Sequence, residues 1–228
     1  MNVNISFCTP SIDETSLESR LGKYNIFNSE QLDKVNVVLP YYENKKKIST
    51  RYNAAISNFR HEDSILVLAH DDIVITDKSW IEKLHQALEK YDVVGLAGAS
   101  RATIKEPALW HIMGDKEYHT GAVYHVSNEN TVYRTYFGKH GRALLLDGLF
   151  LAFNPKKIYD KGIAFDETCP SGFHFYDLDF SLTCNKHQLK MGTANISVVH
   201  SSPGLKSFSD DWLSGQAWFL DKYTRGQY

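Results

Sequence analysis

Cysteine is scarce in this chain, and the three present are Cys8, Cys169 and Cys184, with no C-x-x-C among them. An odd count at such spacings argues against a disulfide framework or a zinc ribbon. No run approaches the 18 apolar residues of a membrane span. The N-terminus, MNVNISFCTP, lacks a basic stretch followed by an apolar one, so no secretory leader is expected, and the expected compartment is the cytoplasm. Neither charge sign dominates: 25 Lys and Arg face 27 Asp and Glu, a net charge of -2, and nothing in that balance calls for nucleic acid or an anionic membrane. No G-x-G-x-x-G follows a strand-like segment, which disfavours a dinucleotide-dependent dehydrogenase. Repeats, low-complexity tracts and Pro/Gly-rich linkers are also missing.

What remains is an ordinary folded composition, 43% hydrophobic and 23% charged over 228 residues. That length suits one domain of generous size or two very small ones. Segments alternate in type. Residues 3–8 and 35–39 read as strands, the second stopped by Pro40. Residues 48–60 place Ile48, Tyr52, Ala55, Ile56 and Phe59 on one helical stripe. SILVLA (64–69) is an unbroken apolar run, as expected of a strand buried on both faces. A helix follows over 79–90, then a strand over 92–97. Such alternation predicts an α/β fold with a mostly parallel sheet covered by helices. Residues 108–153 carry few helix signals and read as a small mixed sheet. A helix over 177–188, a strand over 196–200 and a helix over 209–223 complete the chain.

Ligands of α/β sheets bind beyond the C-terminal strand ends. After SILVLA comes His70-Asp71-Asp72. Adjacent carboxylates at a strand end repel, and they make sense around a hard divalent cation; the alternative is a solvated turn with a helix cap. His200 ends the strand ISVVH and could join an Asp on one ion, or be a satisfied structural histidine. Ser201-Ser202-Pro203-Gly204 follow it. Asp177 and Asp179, two residues apart on a helix, are rotated by about 200°, so only one can face a site. That one could be a general base; both could equally be favourable first-turn acids. Asp147 sits inside the apolar run LLLDGLF and needs a partner or a ligand. Arg51, Pro10 and Ser11 could line a nucleotide pocket. Trp110, His111 and Tyr118 could offer an aromatic face to a sugar. Lys45-Lys46-Lys47 could favour anionic donors or headgroups, or simply be a solvated loop.

The motifs occur in a familiar order. KKKISTRYNAAISNF, SILVLAHDDIVITDKSWIEKL, LLLDGLFLAFNPKKI, FDETCPSGFHFYDLDFSLTCNKHQLKMG and ISVVH together resemble a family 2-like glycosyltransferase with the GT-A fold, over roughly residues 35–200. The chain departs from that pattern in three ways. His70 stands where the first carboxylate of Asp-x-Asp is usual. Tyr176 stands where the Glu of the Glu-Asp pair is usual. The Gln-x-x-Arg-Trp sequence is absent, leaving only a faint Ser214-Gly215-Gln216-Ala217-Trp218.

The resemblance implies one GT-A domain over 1–228, with a donor half at about 1–100 and an acceptor half at about 101–228. Its fold would be a mostly parallel central sheet flanked by helices, with a small mixed sheet on the acceptor side. It implies an inverting hexosyltransferase-type enzyme that moves a sugar from a nucleoside-diphosphate sugar, a UDP-sugar first among them, to a glycan or lipid-linked acceptor. The cofactor would be Mn²⁺ or Mg²⁺, held by Asp72 and His200 with Asp71. Asp177 would be the base; Pro10, Arg51, His70 and Asp71 would contact the donor; Asp147, Trp110 and Tyr176 would contact the acceptor. Peripheral membrane contact stays open. The rival readings are a non-catalytic carbohydrate-binding or scaffold domain and a sugar nucleotidyltransferase; residues 3–22 lack the Gly-rich phosphate loop of the latter.

Overall fold

The computed structural model describes residues 1–102, 106–202 and 208–224. In chain order its elements are β1 (Asn2–Cys8), α1 (Glu14–Leu21), β2 (Val37–Tyr41), α2 (Ile48–Phe59), β3 (Ser64–Ala69), β4 (Ile73–Ile75), α3 (Trp80–Leu88), β5 (Val93–Gly95) and β6 (Ala97–Ala99). Then follow α4 (Trp110–Met113), β7 (His119–Val126), β8 (Val132–Gly138), β9 (Arg142–Ala143), β10 (Leu145–Leu146), β11 (Phe150–Phe153), α5 (Pro155–Asp160), α6 (Tyr176–Lys186), β12 (Met191–Thr193), β13 (Val198–His200) and α7 (Asp210–Thr224). Among the described residues no helix is long and apolar enough to cross a membrane.

The main sheet has seven strands in the order β2-β1-β3-β11-β5-β12-β9. Five run one way, while β11 and β9 run against them. All six residues of β3 are buried, because strands flank it on both edges and helices cover its faces. The polar residues of β1 are paid for locally: Asn4 Nδ2 donates to Ser64 Oγ and Glu62 Oε2, both at 3.1 Å, and Ser6 Oγ donates to Leu39 O at 2.9 Å. The stripe of α2 is buried as its spacing predicts, with Tyr52 and Ala55 wholly inaccessible.

A second sheet runs β10-β6-β7-β13-β4, with β8 paired to β7. Its pairings are antiparallel except β13 with β7, so it is a mixed sheet. Three expectations change. The single strand at 92–97 is two strands, β5 and β6, one in each sheet. The chain crosses between them at Leu96, and within β6 the neighbouring strand comes so close that a Cβ on Gly98 would lie 2.0 Å from Leu145 O. Pro40 does not stop β2 but lies within it, which an edge strand tolerates because one side makes no ladder. The middle region holds the short helix α4, whose Trp110 is driven into the core. Helix α1 and strand β4 were not anticipated.

Candidate active site

Strand register builds the site. The turn after β3 carries His70, Asp71 and Asp72 and leads directly into β4. β4 pairs antiparallel with β13 so that Ile73 opposes His200, and Ser201 N donates to Asp72 O at 2.8 Å. That ladder brings His200 beside Asp72 from 128 residues away, with Nε2 3.2 Å from Asp72 Oδ1. His70 Nδ1 lies 3.9 Å from the same oxygen. One ligand atom from each of His70, Asp72 and His200 falls within 4.8 Å of the others. His200 Nε2 is buried, and no well-aligned hydrogen bond satisfies it. Two imidazoles and a carboxylate within this reach of one another suit the donor set of a divalent cation, so these residues fit such an ion.

The expected ligand Asp71 is turned away from this cluster. Its Oδ2 is ion-paired with Arg20 Nη2 at 2.5 Å. Arg20, from the unanticipated α1, also donates to Thr9 Oγ1 and Ser11 Oγ, both at 3.3 Å. Pro10 is exposed in the same loop. Arg51 Nε donates to Asn44 Oδ1 at 2.8 Å, and its guanidinium lies 4.9 Å from the centre of the Tyr41 ring. These groups form a polar edge beyond β1 and β2. Lys47 Nζ is engaged with the Glu167 and Cys169 carbonyls, so this lysine of the basic run serves structure.

On the other side lies a cavity of about 840 Å³, lined by His70, Asp147, Tyr176, Asp177 and His200 among others. Its wall includes Trp110, His111, His125, Tyr133, Phe173, Phe208 and Trp212. Trp110 itself is only 3% exposed, so it supports the wall more than it offers a face. Tyr118 is not on the wall and accepts a hydrogen bond from Arg101 at 3.3 Å. Phe173 is half exposed, with its ring centre 5.2 Å from that of His70, where the cation-capable cluster meets the cavity. Pro203 and Gly204, which come after Ser201 and Ser202, lie outside the described residues.

The floor is set by a close approach. His70 N donates to Leu149 O at 3.0 Å, which ties the Asp147-Gly148-Leu149 turn to the end of β3. Helix α6 begins against this turn, and a Cβ on residue 148 would lie 2.1 Å from Tyr176 Oη, so only glycine fits. Phe175, at φ 67°, starts the helix from the left-handed region, a strained geometry for a bulky side chain. Its ring is held by Trp212 and Phe219 of α7, with centres at 5.4 and 5.7 Å.

Asp177 faces the cavity and Asp179 faces away. Asp177 Oδ2 accepts from Gly148 N and Oδ1 from Leu178 N, both at 2.9 Å. Burial, reinforced by the charge of Asp147, pushes its pKa up to about 7. Asp179 is buried against α7, accepting from Lys222 Nζ at 2.6 Å and from the Tyr223 hydroxyl. Burial, with the neighbouring His200, brings His70 down to about 4, so that ring is neutral near pH 7. Burial works to lower the pKa of His200, but the Asp72 carboxylate prevails and raises it.

Residues 30–223 match the model of a family described as "Glycosyltransferase like family". No curated protein matches the chain. Among solved structures it is similar to GalNAc-T7, crystallised with UDP, GalNAc and Mn²⁺, at a TM-score of 0.61 and 8% identity over 97% of this chain and 48% of that one. The chain thus spans about half the length of that protein, and the likeness is one of fold, GT-A. It is also similar to A197 from STIV (TM-score 0.47, 13% identity, 89% of this chain and 86% of that one) and to S. aureus TarS (0.45, 13%, 89% and 58%).

Proposed function

This chain belongs to the glycosyltransferase-like family, and on that premise we propose that it transfers a sugar, with inversion, from a nucleoside-diphosphate sugar to an acceptor hydroxyl at a divalent-cation site. A UDP-sugar is the leading donor, since the GalNAc-T7 structure holds UDP with Mn²⁺ on the same fold. One observation carries the reading. Two members of the cation-capable cluster of His70, Asp72 and His200, the two histidines, line the same cavity as Asp177.

A divalent ion on that cluster would offset the negative charge gathering on the departing diphosphate. In this assignment His70 joins Asp72 and His200, and Asp71 serves the donor through the polar edge it shares with Arg20, Arg51 and Pro10. Asp177 takes the proton of the attacking acceptor hydroxyl. A carboxylate tuned to about 7 holds that proton well enough to matter while roughly half of it is ionised near neutral pH, where such catalysis contributes about 10²- to 10⁴-fold. The two peptide N–H groups on Asp177 fix its direction. Asp147 offers a further acceptor for sugar hydroxyls, and the aromatic wall suits the apolar face of a sugar ring. The acceptor is a glycan or a lipid-linked sugar. Residues 1–100 serve the donor and 101–228 the acceptor, within one cytoplasmic domain.

The test is thermal stability against a panel of nucleoside diphosphates, each with Mn²⁺ and with chelator. A ligand at 100 times its Kd adds about 2.7 kcal/mol. A Mn²⁺-dependent rise with one nucleotide is the expected result; no rise with any would overturn the reading.

A further inference from the structure

Two of the three departures from the family pattern, His70 and Tyr176, touch each other. His70 Nε2 and Tyr176 Oη are 2.9 Å apart, across 106 residues of sequence. Tyr176 Oη is also 3.1 Å from Gly148 O. We propose that Tyr176 is a positioning residue for His70, holding its ring in the tautomer that presents a bare Nδ1 to the cation site. The proposal rests on the cation reading above.

The proton inventory forces the arrangement. A carbonyl oxygen only accepts, so the single hydroxyl proton of Tyr176 goes to Gly148 O. Its oxygen must then accept from His70, which places the imidazole proton on Nε2. With the ring's proton on Nε2, Nδ1 is the nitrogen left to carry a lone pair. That lone pair is on the Asp72 side, 3.9 Å from Oδ1. Two acceptors so placed repel unless something electropositive lies between them. Orientation of a ligating histidine through its other nitrogen is a general requirement of metal sites.

The tyrosine is itself held rigidly. It is 5% exposed and packs edge-on to Tyr52, with ring centres 5.7 Å apart at 74°. Tyr52 in turn donates to Ala69 O at 2.9 Å, one residue before His70. Glycine at 148 is what lets the hydroxyl reach the turn. Tyr176 therefore spends its polar atom on His70 and Gly148 rather than on an acceptor sugar.

Two readouts test this. In the metal-free, ¹⁵N-labelled protein at neutral pH, long-range proton–nitrogen spectra, assigned with His70→Gln, are expected to show His70 protonated on Nε2. A proton on Nδ1 would overturn the proposal without reference to any metal. In calorimetric titrations with Mn²⁺ in the presence of UDP, Tyr176→Phe should bind Mn²⁺ about 10- to 100-fold more weakly. Adding His70→Gln to it should cost less than His70→Gln costs alone. Equal Mn²⁺ affinity in Tyr176→Phe overturns this inference alone; no Mn²⁺ uptake by the unaltered protein overturns the cation reading and this inference with it. If Tyr176→Phe fails to fold, the tautomer of the unaltered protein decides.

Discussion

The polar edge beyond β1 and β2 and the cavity floor beyond β3 and β11 are built from similar residues and behave oppositely. On the edge, charges and hydroxyls satisfy one another: Arg20 gathers Asp71, Thr9 and Ser11, and Arg51 is tied to Asn44. The buried Tyr41 hydroxyl is the exception, without a partner. On the floor, groups are left in tension. Asp147 pushes up the pKa of Asp177, His200 Nε2 makes no well-aligned hydrogen bond, and His70 Nδ1 lies 3.9 Å from Asp72 Oδ1. Self-satisfied polar groups make a preformed cradle, whereas strained electrostatics mark the place where an ion, a proton or a substrate supplies what is missing.

The sharpest way to break this comparison is at Asp177. Asp177→Asn should lower kcat by about 10²- to 10⁴-fold while nucleotide and Mn²⁺ affinity stay within a factor of a few, read by steady-state kinetics and calorimetry. Near-normal turnover would remove Asp177 as the base. Next is His200→Gln. It should abolish the Mn²⁺-dependent part of nucleotide stabilisation, about 2.7 kcal/mol at 100 times Kd, in thermal melts with and without chelator.

A smaller effect tests the tension itself. The Asp177 pKa is raised in the fold to about 7 from an ordinary 3.8. The folded state therefore binds this proton more tightly than the unfolded chain. The stability it lends is fully present below pH 3.8 and is lost as pH rises through about 7. Asp147→Asn removes a charge that raises that pKa. It should move the acidic limb of the kcat/KM profile to lower pH and stabilise the protein more at pH 8 than at pH 4, measured by denaturation at both. The smallest effect belongs to the edge. Arg20→Ala breaks a pair whose arginine side chain is 42% exposed; it should cost about 1 kcal/mol or less and raise the donor KM with kcat unchanged.

Much of the fold was legible because it is local. SILVLA declares a doubly buried strand, and the 48–59 stripe declares its helix. The rotation between Asp177 and Asp179 already said that one faces the site. His200 was found as a strand-ending histidine, although only the β4–β13 register puts it against Asp72. What stayed hidden is long-range. Nothing near His70 announces Tyr176, and nothing near Asp71 announces Arg20 on α1. The split of 92–97 into two strands depends on which sheet captures each half. Gly148 was readable only as a glycine beside Asp147; the helix end it admits comes from 28 residues further on.

The most direct measurement is anomalous diffraction at the manganese edge from crystals grown with UDP and Mn²⁺. One peak is expected, bonded by His70, Asp72 and His200 beside the cavity that holds Asp177. A peak at Asp71 on the polar edge, or bound UDP with no manganese beside it, would contradict it.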